Sequence, residues 1–157
     1  MTICPGKKQP FGLSGPHNRD LAADIAAIEA WGAEILISLI ETQEYRALKV
    51  EALHKCIPAS ILHLQMPIRD ASVPDARWEA EWHLARPRIH EVLRRGGKVC
   101  LHCNGGLGRS GTIAARLLVE FGVSPDEAVS MVRSARPGAI ETLEQERYIQ
   151  HFASLSK

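Results

Sequence analysis

The chain has 157 residues, 45% of them hydrophobic, which suits one domain with a real core and is short for two. With 19 Lys and Arg against 18 Asp and Glu the formal net charge is +1, so no global field draws the protein to nucleic acid or an anionic membrane, and any anion must be held locally. The cysteines Cys4, Cys56, Cys100 and Cys103 lack disulfide-framework spacing, and the N-terminal residues lack the apolar core of a signal peptide. No run approaches the roughly 20 apolar residues of a membrane span, so the expected setting is reduced and cytoplasmic.

In chain order the pattern alternates strands and helices without repeats or low-complexity tracts. Residues 1–17, rich in Pro and Gly, read as short extended pieces joined by turns. Leu21, Ile25, Ile28 and Trp31 fall at helical spacing, with Asn18 as N-cap and Gly32 as stop. The apolar run 34–40 is a strand, residues 42–54 a polar helix with Tyr45, Leu48 and Leu53 on its apolar face, and 61–66 a second strand ended by Pro67. Residues 67–75 form a loop by their prolines and Asp/Ser content. A long helix capped by Asp75 runs from there to about Arg95, with a kink expected at Pro87. Gly96 and Gly97 end it, and 98–102 is the next strand. A helix over 110–121 stops at Gly122. Ser124-Pro125-Asp126-Glu127 reads as a capping box with proline at the first helical position. That helix ends near Arg136-Pro137-Gly138, and a last helix spans 142–155.

Between the strand 98–102 and the helix after it lies His102-Cys103-Asn104-Gly105-Gly106-Leu107-Gly108-Arg109-Ser110-Gly111. A strand-to-helix turn gathers unpaired backbone N–H groups into an anion nest, and the glycines let a ligand approach that backbone. A helix N-terminus, a ring of N–H donors and a guanidinium all favour a thiolate, so Cys103 reads as a nucleophile. Arg109 can grip two phosphate oxygens as a fork, while Ser110 can donate to the sulfur when it departs. The combination implies in-line attack on phosphorus and a thiophosphate intermediate.

The leaving oxygen then needs a proton from another segment. Asp70, in mid-loop after Ile68-Arg69, is the preferred acid, because Asp75 is better placed to cap a helix.

Three other readings were weighed on the same residues. Residues 106–111 match the dinucleotide fingerprint GxGxxG, but the acidic ribose ligand would have to end a second strand, where this chain has helix-turn-helix. A Walker A loop fails for want of its lysine. Cys100, His102 and Cys103 lie on one strand end without a second ligand pair, which argues against zinc.

His102-Cys103, five residues, then Arg109-Ser110 resembles the signature of the cysteine-dependent protein tyrosine and dual-specificity phosphatases. Nearly the whole chain is similar to the subgroup that includes the cyclin-dependent-kinase-associated phosphatase and its bacterial relatives. Further matching features are Gly105-Gly106-Leu107-Gly108, Pro67-Ile68-x-Asp70 with Pro74-Asp75, and Gly138-Ala139-Ile140-Glu141-Thr142-x-x-Gln145-x-x-Tyr148-Ile149. The resemblance implies one α/β phosphatase domain over 1–157, with a central mixed, mainly parallel sheet flanked by helices. It implies Cys103 as nucleophile, Arg109 as phosphate clamp, Asp70 as general acid and residues 104–109 as the phosphate-binding loop. Neither metal nor cofactor is implied. Gln145 would stand near the loop and order the hydrolytic water; a solvated helix residue is the equal alternative.

Residues 104–108 hold no Lys or Arg, unlike relatives that act on polyphosphorylated inositides, so a single phosphate monoester is expected. No aromatic recognition loop is visible, Tyr45 being equally well read as core. A shallow pocket taking phosphotyrosine, and with it phosphoserine or phosphothreonine, follows, on a phosphorylated protein or a small phosphomonoester. A monomer is expected. His102 is a supporting residue that bonds backbone around the loop. Trp31, Trp78 and Trp82 are expected in the core or in helix packing, and Glu41 and Glu44 as pocket-edge or plain surface residues. Lys7 and Lys8 read by default as a solvated pair, with a place at the border of the site as the alternative because the N-terminal loop is short and glycine-flanked. Cys100 and Cys56 are candidate partners of Cys103 for a protective disulfide under oxidation, Cys100 being constrained by its place on the same strand. The competing functional class is a phosphate-binding interaction module without useful turnover, which would have no need of cysteine, arginine, serine and aspartate together.

Overall fold

The computed structural model describes residues 1–12 and 15–155. Its centre is a parallel three-stranded sheet built from β3 (Ala33–Ser38), β4 (Leu62–Gln65) and β5 (Lys98–His102), in the order β4-β3-β5. Ile35 pairs with Leu62 on one side and with Val99 on the other. A central strand covered on both faces can be apolar along its middle, as Ile35-Leu36-Ile37 of β3 is. Thr2 adds an isolated parallel bridge to His102. Among the described residues antiparallel pairing is confined to a small ribbon of β1 (Lys8–Gln9) and β2 (His17–Asn18).

The helices are α1 (Leu21–Ala30), α2 (Thr42–Ala47), α3 (Leu53–Cys56), α4 (Ala76–Arg94), α5 (Gly108–Glu120), α6 (Pro125–Ala135) and α7 (Leu143–Leu155). On one sheet face Ile25 of α1 packs with Ala33, Leu36, Ile61 and Cys100. On the other, Ile35, Ile37 and Leu101 meet Trp82, Ile89 and Val92 of α4 and Ile113 and Leu117 of α5. Helices α6 and α7 close over α5 through Ala115, Val129, Val132 and Ile149. Burial of these side chains, at about 25 cal/mol per Å² of apolar surface, holds the layers together. Among the described residues no helix is long and apolar enough to cross a membrane.

The α/β alternation read from the sequence stands, with local corrections. Asp20, not Asn18, caps α1, its Oδ1 accepting from the Ala23 N–H at 2.8 Å, while Asn18 pairs with Lys8 in the ribbon. The single helix expected over 42–54 is two. Lys49 turns left-handed at φ 58°, and the Val50 N–H reaches back to the Tyr45 carbonyl at 2.8 Å. Val50 and Leu53 are thereby buried beside Cys4, Ile40 and Leu48, so burial of a β-branched residue overrides local helix preference. Ser124 caps α6 without a side-chain hydrogen bond, leaving Pro125 as the working start signal. Helix α4 runs on through Pro87 to Arg94.

Candidate active site

Strand order β4-β3-β5 puts a topological switch between β3 and β5, and the crevice at the carboxyl ends of such strands is where open α/β sheets hold ligands. Ser38 ends β3 and His102 ends β5 there. The loop 103–107 then leads into α5, whose N-cap Leu107 makes no side-chain capping bond, so the first-turn N–H groups face the loop. Gly106 is required at its position. Its φ is 71°, and a Cβ there would come within 2.6 Å of the Ile3 nitrogen and closer still to Thr2.

Cys103 is buried, with its Sγ accepting from the Gly106 N–H at 3.2 Å and lying 3.4 Å from Ser110 Oγ. Arg109 is only 1% exposed. Glu44, from the first turn of α2, grips its guanidinium with both oxygens, at 2.6 Å to Nη1 and 2.8 Å to Nη2. The Ile68 carbonyl accepts from Nη1 at 3.0 Å. Asp70 Oδ1 lies 2.8 Å from Nη2, so the expected acid and the expected clamp touch. Burial raises the Glu44 carboxyl, but the bonds from Arg109 and the Glu41 N–H outweigh it and hold that carboxyl below its ordinary range.

His102 lies beneath the loop. Burial pushes its imidazole down to about 4, so it is neutral at physiological pH. Its Nδ1 stands 3.3 Å from the Cys103 carbonyl and its Nε2 2.6 Å from Ser38 Oγ, which in turn is 2.8 Å from His63 Nε2. A carbonyl only accepts, so Nδ1 carries the proton and Nε2 accepts from the Ser38 hydroxyl. Ser38 Oγ must then accept from His63 Nε2–H. The tautomers follow from donor logic, and they make His102 the support of the Cys103 peptide.

Other expected residues divide clearly. Asp75 caps α4, accepting from the Trp78 N–H at 2.8 Å. Gln145 is fully buried, not a solvated helix residue. Its Oε1 accepts from the Glu141 N–H at 2.9 Å, and its Nε2 donates to the Ser72 carbonyl at 3.3 Å. It therefore ties α7 to the loop that carries Asp70. Trp78 and Trp82 stack at 5.0 Å in the core, whereas Trp31 is about half exposed with the Lys98 ammonium 5.1 Å from its ring centroid. Tyr45 packs against the cluster of Cys4, Ile40 and Leu48. Cys100 sits under α1 and Cys56 is exposed, so neither faces Cys103; all four cysteines are free.

Lys7 is the clearest correction. Instead of forming a solvated pair with Lys8 it is 2% exposed, its Nζ donating to Asn104 Oδ1 at 2.7 Å. Turns around Gly6 fold the N-terminal segment back onto the loop, the Lys7 N–H bonding the Cys4 carbonyl at 3.2 Å. Ser38 escaped the sequence reading altogether, although one hydroxyl within the apolar run 34–40 was a usable signal.

This crevice, with its buried cysteine and arginine in one strand-to-helix loop, is that of a cysteine-dependent phosphatase fold. The chain belongs to the family described as PTP-SAK, the Swiss Army Knife protein, DSP-PTPase phosphatase domain, which matches residues 8–149. It is 38% identical to cyclin-dependent kinase inhibitor 3 of Rattus norvegicus over 91 residues, 55% of this chain and 41% of that protein. To the Mus musculus protein of the same name it is 30% identical over 141 residues, 85% of this chain and 64% of the other. The chain thus spans less than two thirds of the length of these curated relatives. Among solved structures it is similar to kinase-associated phosphatase with its catalytic-site cysteine replaced by serine, with a TM-score of 0.80 and 26% identity over 98% of this chain and 84% of that one. Tk-PTP in its active form is similar at a TM-score of 0.67 and 30% identity, over 97% of this chain and 99% of that one.

Proposed function

We propose that the protein hydrolyses phosphate monoesters through a cysteinyl-phosphate intermediate, with protein phosphotyrosine as preferred substrate and phosphoserine or phosphothreonine admitted. The observation that carries this reading is the convergence on one loop of a buried thiol, a buried arginine and an exposed carboxylate 2.8 Å from that arginine. The ester phosphate occupies the nest of N–H groups and takes Nη2 of Arg109 from Asp70. Cys103 sulfur attacks phosphorus in line, the S–P bond forms, and the P–O bond to the leaving group breaks. Asp70, freed toward the mouth, gives its proton to the departing oxygen. Water then attacks phosphorus, its proton passes to the Asp70 carboxylate, and the S–P bond breaks. Ser110, 3.4 Å from the sulfur, donates its hydroxyl to the thiolate that leaves.

Residues 104–108 provide the oxyanion N–H donors, and His102 supports them from below. Gln145 acts by holding the acid loop through Ser72, a duty its two amide contacts favour over ordering water. An uncharged loop and a half-buried Tyr45 suit one phosphate in a shallow pocket. The test is para-nitrophenyl phosphate hydrolysis in the presence of EDTA. Turnover is expected for the wild-type protein and not for Cys103→Ser; equal rates would leave only a phosphate-binding module.

A further inference from the structure

The charges gathered at Cys103 do not balance on the expected residues alone. Arg109 faces two carboxylates, Glu44 and Asp70, at hydrogen-bonding distance. A thiolate at Cys103 adds a third negative charge, and a phosphomonoester brings more. Two titratable neighbours are neutral: burial pushes the Cys4 thiol up to about 12 and the His102 imidazole down to about 4. Two further cations approach the loop. Arg136 donates to the Gly105 carbonyl at 3.5 Å, and Lys7 ends on Asn104. Burial lowers the Lys7 ammonium, and the negative groups Cys4, Cys103, Asp70 and Glu44 act against that to keep its proton.

We propose that Lys7 is a positioning residue of the phosphate site, a buried second cation that holds Asn104 and offsets the negative charge facing the bound phosphate. It rests on the phosphatase reading above and deepens it. Three observations carry it. Lys7 is 2% exposed, and long ammonium side chains are rarely so buried without a charge to serve. Its Nζ ends 2.7 Å from the side chain of Asn104, the residue next to the nucleophile. Asn104 also helps to hold the Glu44 carboxyl low, so that Arg109, Glu44, Asn104 and Lys7 alternate charge and dipole along the loop. The positive charge that loop residues 104–108 lack is supplied from the N-terminal turn. A neutral loop therefore does not mean a weakly cationic site. Because Lys7 is closed off from solvent, it reinforces the phosphate already in the nest and offers no open second phosphate subsite.

The experiment compares Lys7→Gln with Lys7→Arg. Glutamine keeps an N–H donor for Asn104 and removes the charge; arginine keeps the charge. Inorganic phosphate and vanadate serve as probes, by inhibition of para-nitrophenyl phosphate turnover and by calorimetric binding of phosphate to the Cys103→Ser protein. Lys7→Gln is expected to weaken both anions and to lower kcat/KM roughly tenfold, mainly through KM, as loss of one partly screened unit charge predicts. Lys7→Arg should stay within about threefold of wild type on the same electrostatic reasoning. A purely structural lysine would instead lower Tm and kcat in both variants. If Lys7→Gln binds phosphate like wild type, or Lys7→Arg loses as much as Lys7→Gln, the proposal is overturned. Should Lys7→Gln fail to fold, Lys7→Met takes its place under the same criteria. Calorimetry separates the two levels: wild-type protein that binds phosphate without turnover refutes the enzyme reading and still tests Lys7.

Discussion

Replacing Asp70 should move binding and turnover in opposite directions. Its carboxylate sits 2.8 Å from Nη2 of Arg109, yet its side chain is 69% exposed. A pair of that exposure contributes about 0.5–1 kcal/mol, far less than a buried one. Asp70→Asn removes the competitor for Arg109, so inorganic phosphate and vanadate should bind roughly 2- to 5-fold more tightly. The same change deletes the proton donor, and kcat should fall about 10²- to 10⁴-fold. The loss should be largest for phenyl phosphate and smaller for esters of more acidic phenols, which leave without help. The assay is steady-state hydrolysis of a series of aryl phosphates, with phosphate inhibition measured alongside. Asp75→Ala is the internal control: it removes the cap bond to the Trp78 N–H and should cost about 1 kcal/mol of stability with kcat little changed. Weaker phosphate binding in Asp70→Asn, or a loss of kcat independent of the leaving group, would refute the assignment.

Glu44→Gln leaves Arg109 buried without its bidentate partner, and loss of one member of such a pair should cost about 3–5 kcal/mol in chemical denaturation and depress kcat/KM as the guanidinium swings. Because the Glu44 carboxyl is held below its unfolded value, its contribution is complete above about pH 4.5 and disappears as pH falls through the folded value; the acid loss of stability should be smaller in Glu44→Gln. His102 adds a second slope. With a folded value of about 4, its neutral state stabilises the fold fully above the unfolded value of about 6.5, and about 3 kcal/mol should be lost between pH 6.5 and 4, measured by urea unfolding and diminished in His102→Gln. Gln145→Ala unties the acid loop from α7, so kcat should fall roughly tenfold with KM and phosphate inhibition little affected.

Local signals carried most of the fold and the Cys103 loop. Cys103, Arg109 and Ser110 share one strand-to-helix turn, so their spacing already implies their geometry, and Asp75 could be told from Asp70 by the helix that follows it. The mistakes fall where a distant contact decides. Residues 48–52 leave the helix because Val50 and Leu53 find a place beside Cys4 and Ile40. Lys7 looks like a solvated lysine until the N-terminal turn brings it 2.7 Å from Asn104, 97 positions away. For Gln145 the sequence leaves a place near the loop and a solvated helix face equally open, and its packing against Ser72, 73 positions away, decides between them.

Ser38 shows the physical form that the missing information takes. As the buried hydroxyl at the end of β3, it must find hydrogen-bond partners in the core or forfeit on the order of 1–3 kcal/mol. The sheet register sets Ser38 beside His102, its Cα partner in β5, and His63 comes from β4 on the other side. That register is specified by the hydrophobic faces of three strands and cannot be read from any one of them. The consequence is chemical: once Ser38 donates to His102 Nε2, the Nδ1 proton is directed at the Cys103 carbonyl. Ser38→Ala should therefore free the His102 tautomer and loosen the peptide of Cys103. Histidine ring nitrogen shifts in NMR, compared between Ser38→Ala and wild type, read that tautomer directly; an unchanged Nδ1-protonated form would show that the Cys103 carbonyl alone selects it.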